Sequence, residues 1–370
     1  PQMKKRWTAL LLALAMLSAL AVGALADEQD KEKPAAEETA QTAPDAEGTL
    51  RFENLSARMK TGYYTVMSLE ENIAAIECID YDKMYEDLRD GLNQIAEAQW
   101  MMLQIPGAGE TYTYKSLQDQ YDTLRKTFDD IKDGKLQQDN ADLVRQLRDA
   151  ENQLLMAGQT LYINLLGLED QSAALTRQTA ALDRTIEEVK LRYELGQVSA
   201  MTLQQTEAGK AQVESGKAAI DAAVAQLRRQ LNAMIGEELT APLTLNALPG
   251  VTAEQLAAMD VEKDLERAKA ISYSLYAAKL TLDDADEEYK DKARDLGYNE
   301  DNYEYIAVKH RWQAAQYTYN AAVQNFELSF RSLYDSVQSY ASALNAAKVS
   351  LECERSDLAA AQLRYEQGTI

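Results

Sequence analysis

Proline is scarce, at six in 370 residues. Each internal proline would break a helix, so this scarcity leaves room for very long ones. Phenylalanine is scarcer still, at four, and alanine dominates a hydrophobic fraction of 46%. A compact core wants bulkier side chains, so the composition points to an elongated helical protein rather than a globule. Histidine occurs once, as His310 in Val308-Lys309-His310-Arg311. Ser-His-Asp and Cys-His catalysis both need an imidazole base, and a solvated helical position is expected for this one. The sequence carries no phosphate-cradling Gly-rich loop and no His-Glu-x-x-His helix. Carboxylate pairs such as Asp283-Asp284 and Glu287-Glu288 fall on polar helix faces, as solvated charge rather than a general acid–base pair. No catalytic, metal or cofactor site is expected, and the chain does not read as an enzyme.

Cysteine occurs twice, as Cys78 and Cys353. A disulfide framework or a zinc site needs closer or more numerous ligands. Both read as small apolar residues, with a bond between them left open. Basic residues are outnumbered, 38 to 60, giving a net charge of -22. That balance disfavours nucleic acid as a partner. It equally disfavours docking on anionic lipid headgroups, and it keeps a long alanine-rich protein soluble.

What is present begins with a targeting pattern. Lys4-Lys5-Arg6 precedes an apolar run from Trp7 to Val22, and Ala24-Leu25-Ala26 offers a small-residue cleavage site. Residues 1–26 are therefore read as a signal peptide cut before Asp27. The run is short for an uncleaved span of about 20 residues. No cysteine at the cleavage point invites a lipid anchor. Residues 27–51, rich in Glu, Ala, Thr, Pro and Asp, read as a disordered linker.

Helical pattern then runs from about 55 to 103, until Pro106-Gly107-Ala108-Gly109 breaks it. A second stretch covers roughly 115–132. Asp133-Gly134 interrupts it, and Asp139-Asn140 offer caps for the next start. From about 141 to 194 apolar or small residues fall at Leu161, Leu165, Leu168, Ser172, Leu175, Thr179, Leu182, Ile186, Val189 and Tyr193. The steps alternate four and three, which is a coiled-coil seam. Gly196 suits a left-handed helix end, and Ser199 suits an N-cap. Two helix ends this close imply a tight antiparallel turn. The next helix spans 199–235 and stops at Gly236. Thr240–Gly250 reads as an extended connector. A helix over about 261–296, a polar break at 297–305 and a last helix over about 308–366 complete the pattern.

The last helix repeats the seam through Phe326, Phe330, Leu333, Val337, Tyr340, Leu344, Ala347, Leu351, Glu354, Leu358, Ala361 and Tyr365. A shift of 172 residues lays Tyr193 on Tyr365, Ile186 on Leu358 and Leu161 on Leu333. The motif Arg192-Tyr193-Glu194-Leu195-Gly196 then recurs as Arg364-Tyr365-Glu366-Gln367-Gly368. This phase agreement predicts an internal duplication. The first repeat is 52–250, with a hairpin tip at 192–203, and the second is 251–370. The second copy of the motif falls where the sequence stops, and Pro1-Gln2 precede Met3. Both features lead us to expect a fragment cut at its second tip.

The expected fold is all-α: elongated antiparallel coiled-coil helical hairpins, duplicated, with little or no β. The residues Leu191-Arg192-Tyr193-Glu194-Leu195-Gly196-x-x-Ser199, closed by Leu231-Asn232-Ala233-Met234-Ile235-Gly236, resemble the outer-membrane efflux protein (TolC-like) family over roughly 52–370. The resemblance implies a homotrimer whose hairpins form a tunnel passing substrates passively. It also implies docking of a periplasmic adaptor (membrane-fusion) protein, bound to an inner-membrane pump, at the hairpin tips. In this sequence the tip residues are Arg192, Tyr193, Leu195, Gly196, Ser199, Leu203, Arg364, Tyr365 and Gly368. Location would be the cell envelope, at the outer membrane or periplasm. The family inserts β-hairpins between the helices to form a membrane barrel. Here the corresponding breaks offer only Glu110-Thr111-Tyr112-Thr113-Tyr114 and Tyr303-Glu304-Tyr305, shorter than the alternating stretches of about ten residues a barrel needs. The barrel hairpins are therefore expected to be reduced or missing, and a barrel-less relative would be placed only as extracytoplasmic. The alternative is an envelope coiled-coil scaffold or spacer without a channel.

Overall fold

Helix propensity and the near absence of proline shape almost the whole visible chain. The computed structural model describes residues 45–368. The predicted signal peptide, linker residues 27–44, and Thr369 and Ile370 lie outside them. Within the described residues the chain is all-α apart from two short strands. Strand β1 is Thr49–Leu50, followed by α1 (Phe52–Gly62), α2 (Tyr64–Glu77) and α3 (Tyr81–Leu103). A 3-10 turn at Ala108–Glu110 leads into α4 (Tyr112–Lys132), α5 (Lys135–Glu194) and α6 (Ala200–Met234). Then come β2 (Thr244–Leu245), α7 (Ala253–Ala257), α8 (Val261–Ile271), α9 (Tyr273–Asp295) and α10 (Tyr303–Glu366). At 1.5 Å per residue, the 60 residues of α5 extend about 90 Å.

Several sequence expectations need correction. The helix expected over 55–103 is three helices. It opens at Tyr63, whose backbone is extended, and again before Asp80, whose carboxylate accepts from the Lys83 N–H and starts α3. The helix expected over 261–296 is likewise divided at Ser272, whose hydroxyl accepts from the Leu275 N–H. Side-chain caps of this kind restart a helix without proline or glycine. Helix α5 starts at Lys135 behind a left-handed Gly134, not at Asp139-Asn140. The Asn140 amide is buried and donates to the Tyr81 hydroxyl at 2.8 Å. Helix α10 begins at Tyr303 rather than 308, capped by Asn302.

The linker expectation fails at its end. Leu50 is fully buried, and β1 pairs in parallel with β2, Thr49 beside Thr244 and Leu50 beside Leu245. Asp45 anchors this end. Its carboxylate accepts from Arg51 Nε at 2.8 Å and from Asn54 Nδ2 at 2.8 Å. Burial pushes the Asp45 carboxyl up, but the Arg51 and Asn54 hydrogen bonds outweigh it and hold the group below the ordinary value of 3.8.

These strands close over a core knot. Leu50, Leu55, Met59, Leu155, Tyr162, Leu165, Val224, Leu231, Ile235 and Leu243 cluster there from β1, α1, α5, α6 and the segment before β2. Tyr162 sits at its centre, fully buried. Its hydroxyl lies 2.9 Å from the Leu50 carbonyl and 2.7 Å from the Asn246 carbonyl. The ring packs edge-on to Phe52 at 5.5 Å. Asn232, also fully buried, donates to the Ala241 carbonyl at 3.0 Å and pins the connector back onto α6.

The rest of the molecule is helix on helix. Helices α3 and α4 pack together through stacked Tyr85 and Phe128, centroids 4.5 Å apart. Helices α9 and α10 pack through Tyr289 and Trp312 at 4.8 Å. Tyr276 bonds Asp142, and Arg145 lies 4.4 Å from the Tyr276 ring, joining α9 to α5. Cys78 and Cys353 are free and exposed rather than buried as small apolar residues. His310 is exposed on α10, in the solvated position expected of it.

Candidate functional site

The turn between α5 and α6 is built by backbone chemistry. Gly196 adopts a left-handed conformation with φ of 71°. The Gly196 N–H donates to the Tyr193 carbonyl at 2.9 Å, and the Gln197 N–H donates to the Arg192 carbonyl at 2.8 Å. These two bonds are the paired closure of a Schellman end. Three residues later the Ser199 hydroxyl accepts from the Thr202 N–H at 3.2 Å and opens α6. The cap residues therefore act as their chemistry predicts. A Gly196→Ala change is expected to cost about 1 kcal/mol, because a Cβ disfavours the left-handed region. Ser199→Ala should cost a similar amount, about 1 kcal/mol. Urea unfolding followed by circular dichroism checks both, and a neutral Gly196→Ala contradicts the cap.

Behind the turn, α5 and α6 lie against each other with rungs in reverse order. Lys190 pairs with Glu207 at 3.5 Å, Asp183 with Lys210 at 2.6 Å, and Glu169 with Arg228 lower down. Hydrogen bonds to Asp183 and Glu214 hold the Lys210 ammonium above the usual lysine range. The predicted seam residues from Leu161 to Val189 are buried or half-buried in this packing. Exposed ion pairs of this kind add little stability, so the apolar seam holds the two helices together.

The turn presents a mixed surface. Tyr193 and Leu195 are exposed, Leu203 is half-buried, and Gly196 has open space where a Cβ would stand. Arg192 is exposed and reaches back one helical turn to Glu188. Comparison with family models, with curated proteins and with solved structures finds no match to this chain. The turn must therefore be read on its own geometry.

The second copy of the motif forms the same local shape. Gly368 takes φ of 69°, and its N–H donates to the Tyr365 carbonyl at 3.0 Å. Arg364 and Tyr365 lie in the last turn of α10, with Tyr365 exposed. The two copies differ in cover. Every residue from Ser342 to Gly368 is exposed, so the seam positions Leu344, Leu351, Leu358 and Tyr365 have no packing partner. Tyr365 and Gly368 are both exposed, as are residues 191–197 of the first turn. Among the described residues no cluster of His, Cys, Asp or Glu is arranged to hold a metal ion.

One correspondence escaped the sequence reading. Tyr162 and Tyr334 are also 172 residues apart. The Tyr334 hydroxyl donates to the Met259 carbonyl at 3.2 Å, much as Tyr162 bonds the Leu50 and Asn246 carbonyls. Both tyrosines tie a long helix to the segment packed beside it. The signal was present in the 172-residue shift, one position after the Leu161–Leu333 match.

Proposed function

We infer that this chain is a TolC-like tunnel component of an envelope efflux or secretion system, built from duplicated antiparallel helical hairpins. The observation that carries the reading is the repeated helix end. Two very long seam helices each close on Arg-Tyr-Glu-x-Gly with a left-handed glycine, at φ of 71° and 69°. The reversed rungs between α5 and α6 and the paired tyrosines Tyr162 and Tyr334 add support. So does the bare seam of α10, because side-by-side hairpins in a tunnel cover such a seam with neighbouring helices. In this reading the protein is an exported homotrimer. The 192–203 and 364–368 tips meet an adaptor protein that links it to an inner-membrane pump.

Two measurements test it. The mass of the purified protein at high concentration should be that of a trimer, and a monomer overturns the tunnel. Arg192→Glu should weaken capture of a membrane-fusion adaptor at least ten-fold while leaving the helix content unchanged. A variant that binds the adaptor normally removes the tip from the contact.

A further inference from the structure

We propose that the turn joining α3 to α4 is a membrane-interface tip that inserts into an electrically neutral bilayer surface. The features of this turn are independent of any tunnel.

Upstream, the outward positions of α3 are polar: Glu86, Asp87, Arg89, Asp90, Asn93 and Glu97 are all exposed. In the last turn the same outward positions become apolar. Trp100 is 66% exposed, Met101 59%, Leu103 56%, Ile105 62% and, across the turn, Tyr112 87%. Glu110 is the one charged residue between Glu97 and Lys115. In a chain with 26% charged residues this is a sharply bounded cap with a single charge.

The cap is rigid enough to present these groups. Gln99 Nε2 donates to Gln118 Oε1 at 3.1 Å and joins the two helices below it. The Thr111 hydroxyl donates to the Ala108 carbonyl at 2.6 Å, and it accepts from the Tyr114 N–H at 3.3 Å. Ala108 is buried inside the turn.

The distribution of the apolar groups selects the occupant. Met102 is half-buried, whereas Trp100, Met101 and Leu103 point outward around the rest of the helix end, at about 100° per residue. A partner helix or groove would cover one side and leave the others wet. A second copy meeting tip to tip would leave most of the ring exposed. A lipid interface surrounds all sides at once. Trp and Tyr are the residues that prefer this layer, with an apolar ring and a polar edge. The seven residues from Ala98 to Gln104 rise about 10 Å, which matches the 5–10 Å depth of the headgroup–acyl boundary. No described helix is long and apolar enough to cross a membrane, so the contact is interfacial rather than spanning. A cap whose single charge is the Glu110 carboxylate, on a body of net charge -22, suits zwitterionic lipid and not anionic lipid.

The test uses the full chain with phosphatidylcholine vesicles whose acyl chains carry bromine. Tryptophan emission is compared between the unaltered protein and Trp100→Phe, so that the difference reports Trp100 alone. Quenching of the Trp100 share is expected. Leu103→Asp with Ile105→Asp should lower vesicle partitioning at least ten-fold with unchanged helix content, since both side chains are exposed. Phosphatidylglycerol vesicles should bind no more tightly than phosphatidylcholine. An unquenched Trp100, unchanged partitioning of the double variant, tighter binding to phosphatidylglycerol, or burial of Trp100 by self-association without lipid each overturns the proposal.

Discussion

Gly62→Ala should destabilise the protein by about 3 kcal/mol. Gly62 is the last residue of α1, where that helix meets the end of α6. A Cβ there would stand 2.3 Å from the Ile235 carbonyl oxygen and 2.5 Å from its carbon. Those are backbone atoms at the close of a helix, and they have no rotamer through which to retreat. Replacing glycine in a helix ordinarily stabilises by up to about 1 kcal/mol, so the steric term must overcome that gain. Gly167 supplies the control. It lies within α5, exposed, with nothing within 4 Å of its missing Cβ. Gly167→Ala should therefore stabilise by about 1 kcal/mol. Urea midpoints of the two variants should move in opposite directions. Equal shifts would mean that α1 and α6 are not in backbone contact.

Tyr162→Ala should cost about 3–5 kcal/mol, the range for removing a large aromatic from a packed core. Tyr162→Phe separates the ring from the hydroxyl. The Leu50 carbonyl retains the Asn246 N–H at 3.0 Å, so mainly the Asn246 carbonyl loses a partner. That limits the Phe variant to about 1–2 kcal/mol. Denaturant unfolding of the three proteins checks the order. A Phe variant as damaged as the Ala variant would make the hydroxyl, rather than the packing, the main contribution of this residue.

The long-range pattern was legible where one periodicity ran uninterrupted. The seam from Leu161 to Val189, the glycine at 196, the serine cap at 199 and the stop at Gly236 all express local chemistry, and the structure shows each in place. The breaks at Asp80 and Ser272 were legible in principle, since both are good N-cap residues. They were hidden because no proline or glycine marked them. The opening at Tyr63 has no side-chain cap. It falls where Gly62 abuts Ile235 and Gly236, a tertiary contact to which local propensity is blind. The β1–β2 pair is two residues on each side, too short for any alternation to register. The acidic, alanine-rich stretch before it masked Asp45 and Leu50, whose order comes from partners elsewhere. At the candidate tip, the turn geometry was readable from Gly196 and Ser199. The bare flank of α10 was not, because a heptad seam looks the same in sequence with or without its partner.

The core knot and the α5–α6 pair differ in how much chain each must close. The rungs of α5 and α6 nest around the turn at 195–199, so each pair formed shortens the loop for the next, from Lys190–Glu207 down to Glu169–Arg228. The Tyr162 hydroxyl instead meets a carbonyl 112 positions away in the chain. Loop-closure entropy rises with loop length, and distant contacts are rewarded late. The chain can thus zip outward from Gly196 long before Leu50 arrives. The seam helices can therefore come together as a local event, and the knot at Tyr162, which joins residues 45–62 to the rest, carries the larger closure cost and is expected to form later.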